Sequence, residues 1–225
     1  MNLKTVFDQD FIAFYGISTK GVSAICTRTV LPKFDLSDEQ DSFGKLISFG
    51  SGDVSFEDND GEVQVLWYNN FINQCTKPRC FQEGRLRCDV VMAASMPRGD
   101  EIVLLEITTE KEVFNLDKPI TKGRGFPGGK NEKSRKQLYE SLVTILSVES
   151  IRDYANTCSN RVCLMGYNIL DAQMVISGVT VRFPNRRFMK VEESASPHGT
   201  VYSCPEIESF GFKYMRISHT QTFCF

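Results

Sequence analysis

Histidine is scarce in this chain, which holds only His198 and His219. No GxSxG elbow frames a serine either, so Ser-His-Asp hydrolase chemistry finds no support and both histidines read as surface residues. No apolar run approaches the ~20 residues that span a bilayer, so no membrane partner is expected. A charge excess is also missing: 26 basic side chains stand against 28 acidic ones, for a net charge of −2. Any attraction to a polyanion must therefore come from a local patch. There is no internal repeat, low-complexity tract or obvious linker, which favours one domain over residues 1–225. The opening MNLKTVFDQD carries charges where the apolar core of a secretory signal would begin, and a cytoplasmic location is expected.

Cysteine is present, with eight residues, yet no CxxC pair occurs. Cys75–Cys80 and Cys158–Cys163 each leave four residues between partners, a spacing zinc sites can use. With so few histidines to complete a ligand set, reduced thiols in a reducing compartment are the simpler reading. A cysteine-ligated zinc protein would need at least four Cys or His side chains to converge. The apolar fraction of 41% and the charged fraction of 24% are those of a globular domain, and 225 residues can bury a core without staples.

Along the chain, FIAFYGIS and GVSAICTRTVLPKF are rich in aromatic and β-branched residues, and the second reads as a strand closed by Pro32. DLSDEQDSFGK could open a short helix capped by Ser37. GSGDVSFEDNDGE reads as a hairpin or loop, and VQVLWYNNF as a strand, with a helix as the alternative. RLRCDVVMAA and EIVLLEITT are two strands joined by the turn residues of SMPRGD, most simply as an antiparallel hairpin. A basic, glycine-rich loop, KPITKGRGFPGGK, precedes the clearest helix, NEKSRKQLYESLVTILSVESI, with Asn131 as its cap and Leu138, Leu142, Ile145 and Leu146 on one face. RVCLMGYNIL, VTVRFP and FGFKYMRIS follow as strands.

Two of these strands carry acids where a core strand would not want them. Asp89 lies near the start of one strand of the hairpin and Glu106 toward the end of the other, so pairing brings both to one end of the ribbon. Glu106 and Thr108, two apart, share a face. Two converging carboxylates repel unless a cation lies between them, and hard ions such as Mg²⁺ or Mn²⁺ favour oxygen ligands. A plain alternative is that strand acids are solvated and discourage edge-to-edge aggregation.

Strand, Asp, hairpin, strand, Glu-x-Lys, then a helix with basic residues is the layout of the PD-(D/E)XK nuclease superfamily, and residues 85–147 resemble a divergent member of it. The resemblance implies an α/β fold with a central mixed β-sheet flanked by helices. The restriction-endonuclease-like core would span about residues 60–185, with β-rich additions at both ends. It implies metal-dependent hydrolysis of phosphodiester bonds in DNA or RNA, with Asp89 and Glu106 holding Mg²⁺ or Mn²⁺. Thr108 stands where the superfamily's lysine orients the attacking water, so Thr108 or the nearby Lys111 would take that role. Glu39 is the candidate for the additional acid that members often draw from an early helix. Because the lysine is missing, the same fold could instead serve as an inactive module that binds nucleic acid or a protein. A homodimer is left open.

Lys122, Arg124, Lys130, Lys133, Arg135 and Lys136 face only Glu132 in their stretch. Lys133, Arg135 and Lys136 are the expected phosphate contacts, against the alternative of an ordinary solvated helix start. GRGFPGGK is not a Walker loop. Arg124 occupies the first glycine position, Asn131 replaces the hydroxyl that holds Mg²⁺, and Pro127 interrupts the loop.

Overall fold

The computed structural model describes residues 1–18, 20–37, 45–47, 49–58, 60–75, 86–108, 129–167, 174–176, 179–181 and 196–225. Its first helical segment runs as α1 (Leu3–Val6), a π-helical turn (Phe7–Phe11) and α2 (Ile12–Tyr15). Aromatic content alone suggests a strand here, but Leu3, Phe7 and Phe11 recur every four residues and all three are fully buried. That spacing lines one helical face. Gly16, at φ 62°, ends the segment in the left-handed region that favours glycine.

Next come β1 (Cys26–Thr29), β2 (Phe34–Ser37), β3 (Lys45–Ile47), β4 (Val54–Glu57) and β5 (Glu62–Trp67). Ser37 is therefore the last residue of a strand paired with β3 rather than a helix cap, and residues 38–44, Glu39 among them, lie outside the described residues. The segment read as a hairpin or loop contains β4. VQVLWYNNF satisfies both of its readings in turn: the strand ends at Trp67 and α3 (Tyr68–Gln74) begins at once.

The hairpin forms as its sequence demands. β6 (Val90–Met96) and β7 (Gly99–Thr108) pair antiparallel from Val90↔Leu105 to Met96↔Gly99, leaving Pro97 and Arg98 as a two-residue turn. Gly99 sits at φ 127°, and a β-carbon there would lie 2.7 Å from Ser159 Oγ, so conformation and space both call for glycine. A parallel neighbour then requires a crossover. α4 (Gly129–Leu146) and α5 (Glu149–Thr157) supply it, and β8 (Asn160–Tyr167) returns parallel to β7. Asn131 lies inside α4, not at its cap, and accepts a hydrogen bond from the Tyr214 hydroxyl at 3.1 Å. β9 (Met174–Ile176) and β10 (Val179–Val181) form a separate short hairpin.

The C-terminal region contributes β11 (Thr200–Tyr202), the short helix Pro205–Glu208, β12 (Lys213–Ser218) and β13 (Thr222–Cys224). The result is a mixed seven-stranded sheet in the order β1-β5-β6-β7-β8-β12-β11, in an α/β fold. Successive side chains of a strand face opposite ways. On β7, Ile102 and Leu104 join the core shared with Phe7, Phe11, Leu138 and Leu142, so the helices cover that face. Val103, Leu105 and Ile107 join a second core with Phe34, Phe56 and Phe223.

That second face is covered by a four-stranded sheet in the order β13-β4-β2-β3. Strands from the two ends of the chain, β2–β4 and β13, thus share this layer, while β1, β11 and β12 join the central sheet. The two sheets come very close at Gly166 of β8, where a β-carbon would lie 2.2 Å from Val54 Cγ2. Among the described residues no helix is long and apolar enough to cross a membrane.

Candidate functional site

The hairpin register decides where the two acids lie. Asp89 stands one step before the Val90↔Leu105 pair, and its amide donates to the Leu105 carbonyl at 3.0 Å. Directly opposite residues of an antiparallel pair project from the same face. Asp89 and Glu106 are therefore neighbours on the face that the helices cover. The Ile107 amide donates to Asp89 Oδ2 at 2.8 Å, so the Asp89 side chain extends the ladder by one bond and is held in place by it. Glu106 is only 6% exposed and its β8 neighbour is Met165.

Helix α4 clamps the segment that leads into Asp89. The Cys88 amide donates to Ser141 Oγ at 2.8 Å, and Gln137 Nε2 donates to the Arg87 carbonyl at 2.7 Å. From α3, the Asn69 amide donates to the Asp89 carbonyl at 3.2 Å. Burial pushes the Cys88 thiol well up, and the adjacent Glu106 and Asp89 carboxylates push the same way. Thr108 closes β7 at 7% exposure on the face of Glu106, beside Tyr167. Lys111 and the basic loop before α4 lie outside the described residues.

On α4 the basic residues divide. Arg135 lies between two acids, 2.7 Å from Glu132 and 2.9 Å from Glu206, and its guanidinium is held charged above its ordinary range by the Glu132 hydrogen bond first. Lys136 is half exposed, with Glu132 at 4.0 Å. Lys133 is partly buried. Of the cysteine pairs singled out by spacing, Cys158 follows α5 and Cys163 lies in β8, both buried, while Cys80 lies outside the described residues.

A different cluster escapes sequence reasoning. Glu57 at the end of β4, His198 in the turn before β11 and Cys224 in β13 bring one ligand atom each within 4.8 Å of the others. The Lys33 hydrogen bond lowers the Glu57 carboxyl below its ordinary range. Burial, and then Glu57 and Asp58, push the Cys224 thiol up to about 12. No motif spacing links residues 57, 198 and 224. The only local signal is the alternation Phe223, Cys224, Phe225, which turns the cysteine away from a core that buries both aromatics. Compared with protein-family models, curated proteins and solved structures, the chain matches none.

Proposed function

We propose that the protein is a metal-dependent nuclease of the PD-(D/E)XK, restriction-endonuclease-like superfamily that hydrolyses phosphodiester bonds in DNA or RNA. The observation that carries this reading is the register of the hairpin, which sets Asp89 directly opposite Glu106 on the helix-covered face. The element order supports it as well: antiparallel strands β5, β6 and β7, a helical crossover, then β8 parallel to β7. Two adjacent carboxylates are the donor set that a hard divalent ion prefers, so Asp89 and Glu106 would hold Mg²⁺ or Mn²⁺. Such an ion polarises a phosphoryl oxygen and makes bound water a better nucleophile at neutral pH.

The chain's own residues supply the rest. The Ile107 amide fixes the Asp89 carboxylate, and α4 fixes the backbone before it. Lys133 and Lys136 would contact phosphates. The Thr108 hydroxyl can orient water but carries no charge, so Lys111 is the candidate for that contribution. A cytoplasmic protein acting on a nucleic acid, alone or as a homodimer, belongs to the same reading.

One set of observations favours a second reading, a binding module with a degraded centre. Thr108 occupies the lysine position in buried surroundings, and Arg135 is engaged by Glu132 and Glu206. Metal binding tests the first reading. Mn²⁺ should raise the melting temperature of the full chain by mass action, roughly 2.7 kcal/mol at a hundredfold excess over Kd. Glu106→Gln should abolish that shift while leaving the metal-free protein as stable as the parent or more so. An unchanged shift in the variant overturns the site.

The helix start has its own test. Replacing Lys133 and Lys136 together by Ala should weaken nucleic-acid binding about equally across sequences and reduce the salt slope by about two, one for each phosphate no longer neutralised. A slope equal to the parent's returns both lysines to the solvated face of α4.

A further inference from the structure

We propose that Glu57, His198 and Cys224 form a zinc-binding site on the opposite side of the central sheet from Asp89 and Glu106. Its three donors come from distant parts of the chain, and the fold holds each one. Cys224 and Glu57 are directly paired residues of the parallel strands β13 and β4, so their side chains project together. Phe223 and Phe225 occupy the core on either side, which turns Cys224 outward. The turn that carries His198 is docked onto the same strand: the Thr222 amide donates to the Pro197 carbonyl at 3.1 Å, and Gln221 Nε2 donates to the Ser196 carbonyl.

The separations suit a tetrahedral ion. With Zn–S about 2.3 Å, Zn–N about 2.0–2.1 Å and Zn–O about 2.0–2.2 Å, ligand atoms lie about 3.4–3.6 Å apart. Cys224 Sγ is 3.5 Å from Glu57 Oε1, and His198 Nδ1 is 3.5 Å from the same oxygen. Cys224 Sγ and His198 Nδ1, at 2.8 Å, must open slightly, and the His198 side chain is 56% exposed and has room to turn. Lys33 holds the other carboxylate oxygen, Oε2, at 3.0 Å, which orients Oε1 toward the thiol and the imidazole, as supporting contacts to metal ligands do.

Donor chemistry selects the ion. Thiolate and imidazole are poor ligands for Mg²⁺ and Ca²⁺, which take oxygen, whereas Zn²⁺ accepts all three donor types. Three protein donors leave a fourth position for water or an outside ligand. A bound ion would pin the last strand and the 196–199 turn to β4.

The test uses the full chain freed of metal and titrated with Zn²⁺, followed by melting temperature, and with Co²⁺ as the spectroscopic stand-in. Zn²⁺ should bind and raise the melting temperature, and Co²⁺ should produce thiolate-to-metal charge-transfer absorption. Cys224→Ser and His198→Ala should each weaken binding by at least about tenfold, the lower range seen when even a supporting partner of a ligand is removed. Cys224→Ser should also lose the charge-transfer band. Asp89→Asn should retain the charge-transfer band, which separates this site from the one proposed on the hairpin. Parent protein without the band, or variants that bind as tightly as the parent, would overturn the assignment. So would a band lost in Asp89→Asn alone.

Discussion

Asp89→Asn is expected to abolish metal-dependent cleavage while leaving the protein folded. Asparagine keeps an oxygen that can accept the Ile107 amide at the same place, so the bond that extends the β6–β7 ladder survives the substitution. What it removes is the negative charge beside Glu106, one of the two carboxylates proposed above to hold the metal. A loss of at least about a hundredfold is expected, the scale on which removal of one preorganised electrostatic group acts. Single-turnover cleavage of labelled single- and double-stranded DNA and RNA with Mn²⁺ measures it. Thr108→Lys in the same assay should preserve or raise the rate, because position 108 shares the face of Glu106 and lysine would add the missing charge. Asp89→Asn cutting as fast as the parent would assign the activity elsewhere. A parent and a Thr108→Lys variant that are both inert would favour the binding module.

Phe56→Ala should produce the largest loss of stability. The Phe56 ring is fully buried between the two sheets, with ring centroids 5.0 Å from Phe34, 5.9 Å from Phe223 and 5.7 Å from Phe225. Truncation there removes the ring's transfer free energy and leaves a cavity, about 3–5 kcal/mol for Phe→Ala. That is a large share of the roughly 5–15 kcal/mol that holds a domain together. Urea unfolding should show a lower midpoint with an unchanged slope, as expected if both sheets unfold as one unit. Val201→Ala, at a residue 57% exposed, should change stability by no more than about 0.5 kcal/mol. A separate early transition in the Phe56 variant would mean that the small sheet is only loosely attached.

How much was legible depends on how local each feature is. The pairing of Asp89 with Glu106 could be anticipated because a two-residue turn at Pro97 and Arg98 sets the register of the whole hairpin. Helix α4 was legible from its apolar spacing, and its Leu138, Leu142 and Ile145 are fully buried. The N-terminal helical segment was harder. FIAFYGIS is rich in residues that favour strands, and only the four-residue spacing of Leu3, Phe7 and Phe11 marks the helical face. The basic residues of α4 read as a patch because sequence neighbours show Glu132 but not Glu206, which the fold brings to Arg135 from 71 positions away.

By itself the sequence determined the elements that local pattern marks: the β6–β7 hairpin, the periodicity of α4, the strand composition of β8 and β12, and two acids at one end of a ribbon. A short turn sets the register of the hairpin and apolar spacing marks the buried face of α4, so both can be read without distant contacts. Tertiary structure alone decided that the two ends of the chain build a second sheet, that β12 lies parallel to β8, and that Glu57, His198 and Cys224 meet. Those outcomes rest on burying the Phe34, Phe56, Phe223 and Phe225 side chains against the central sheet. The hydrophobic effect that drives such burial is non-directional, so no local spacing encodes which distant segments it joins.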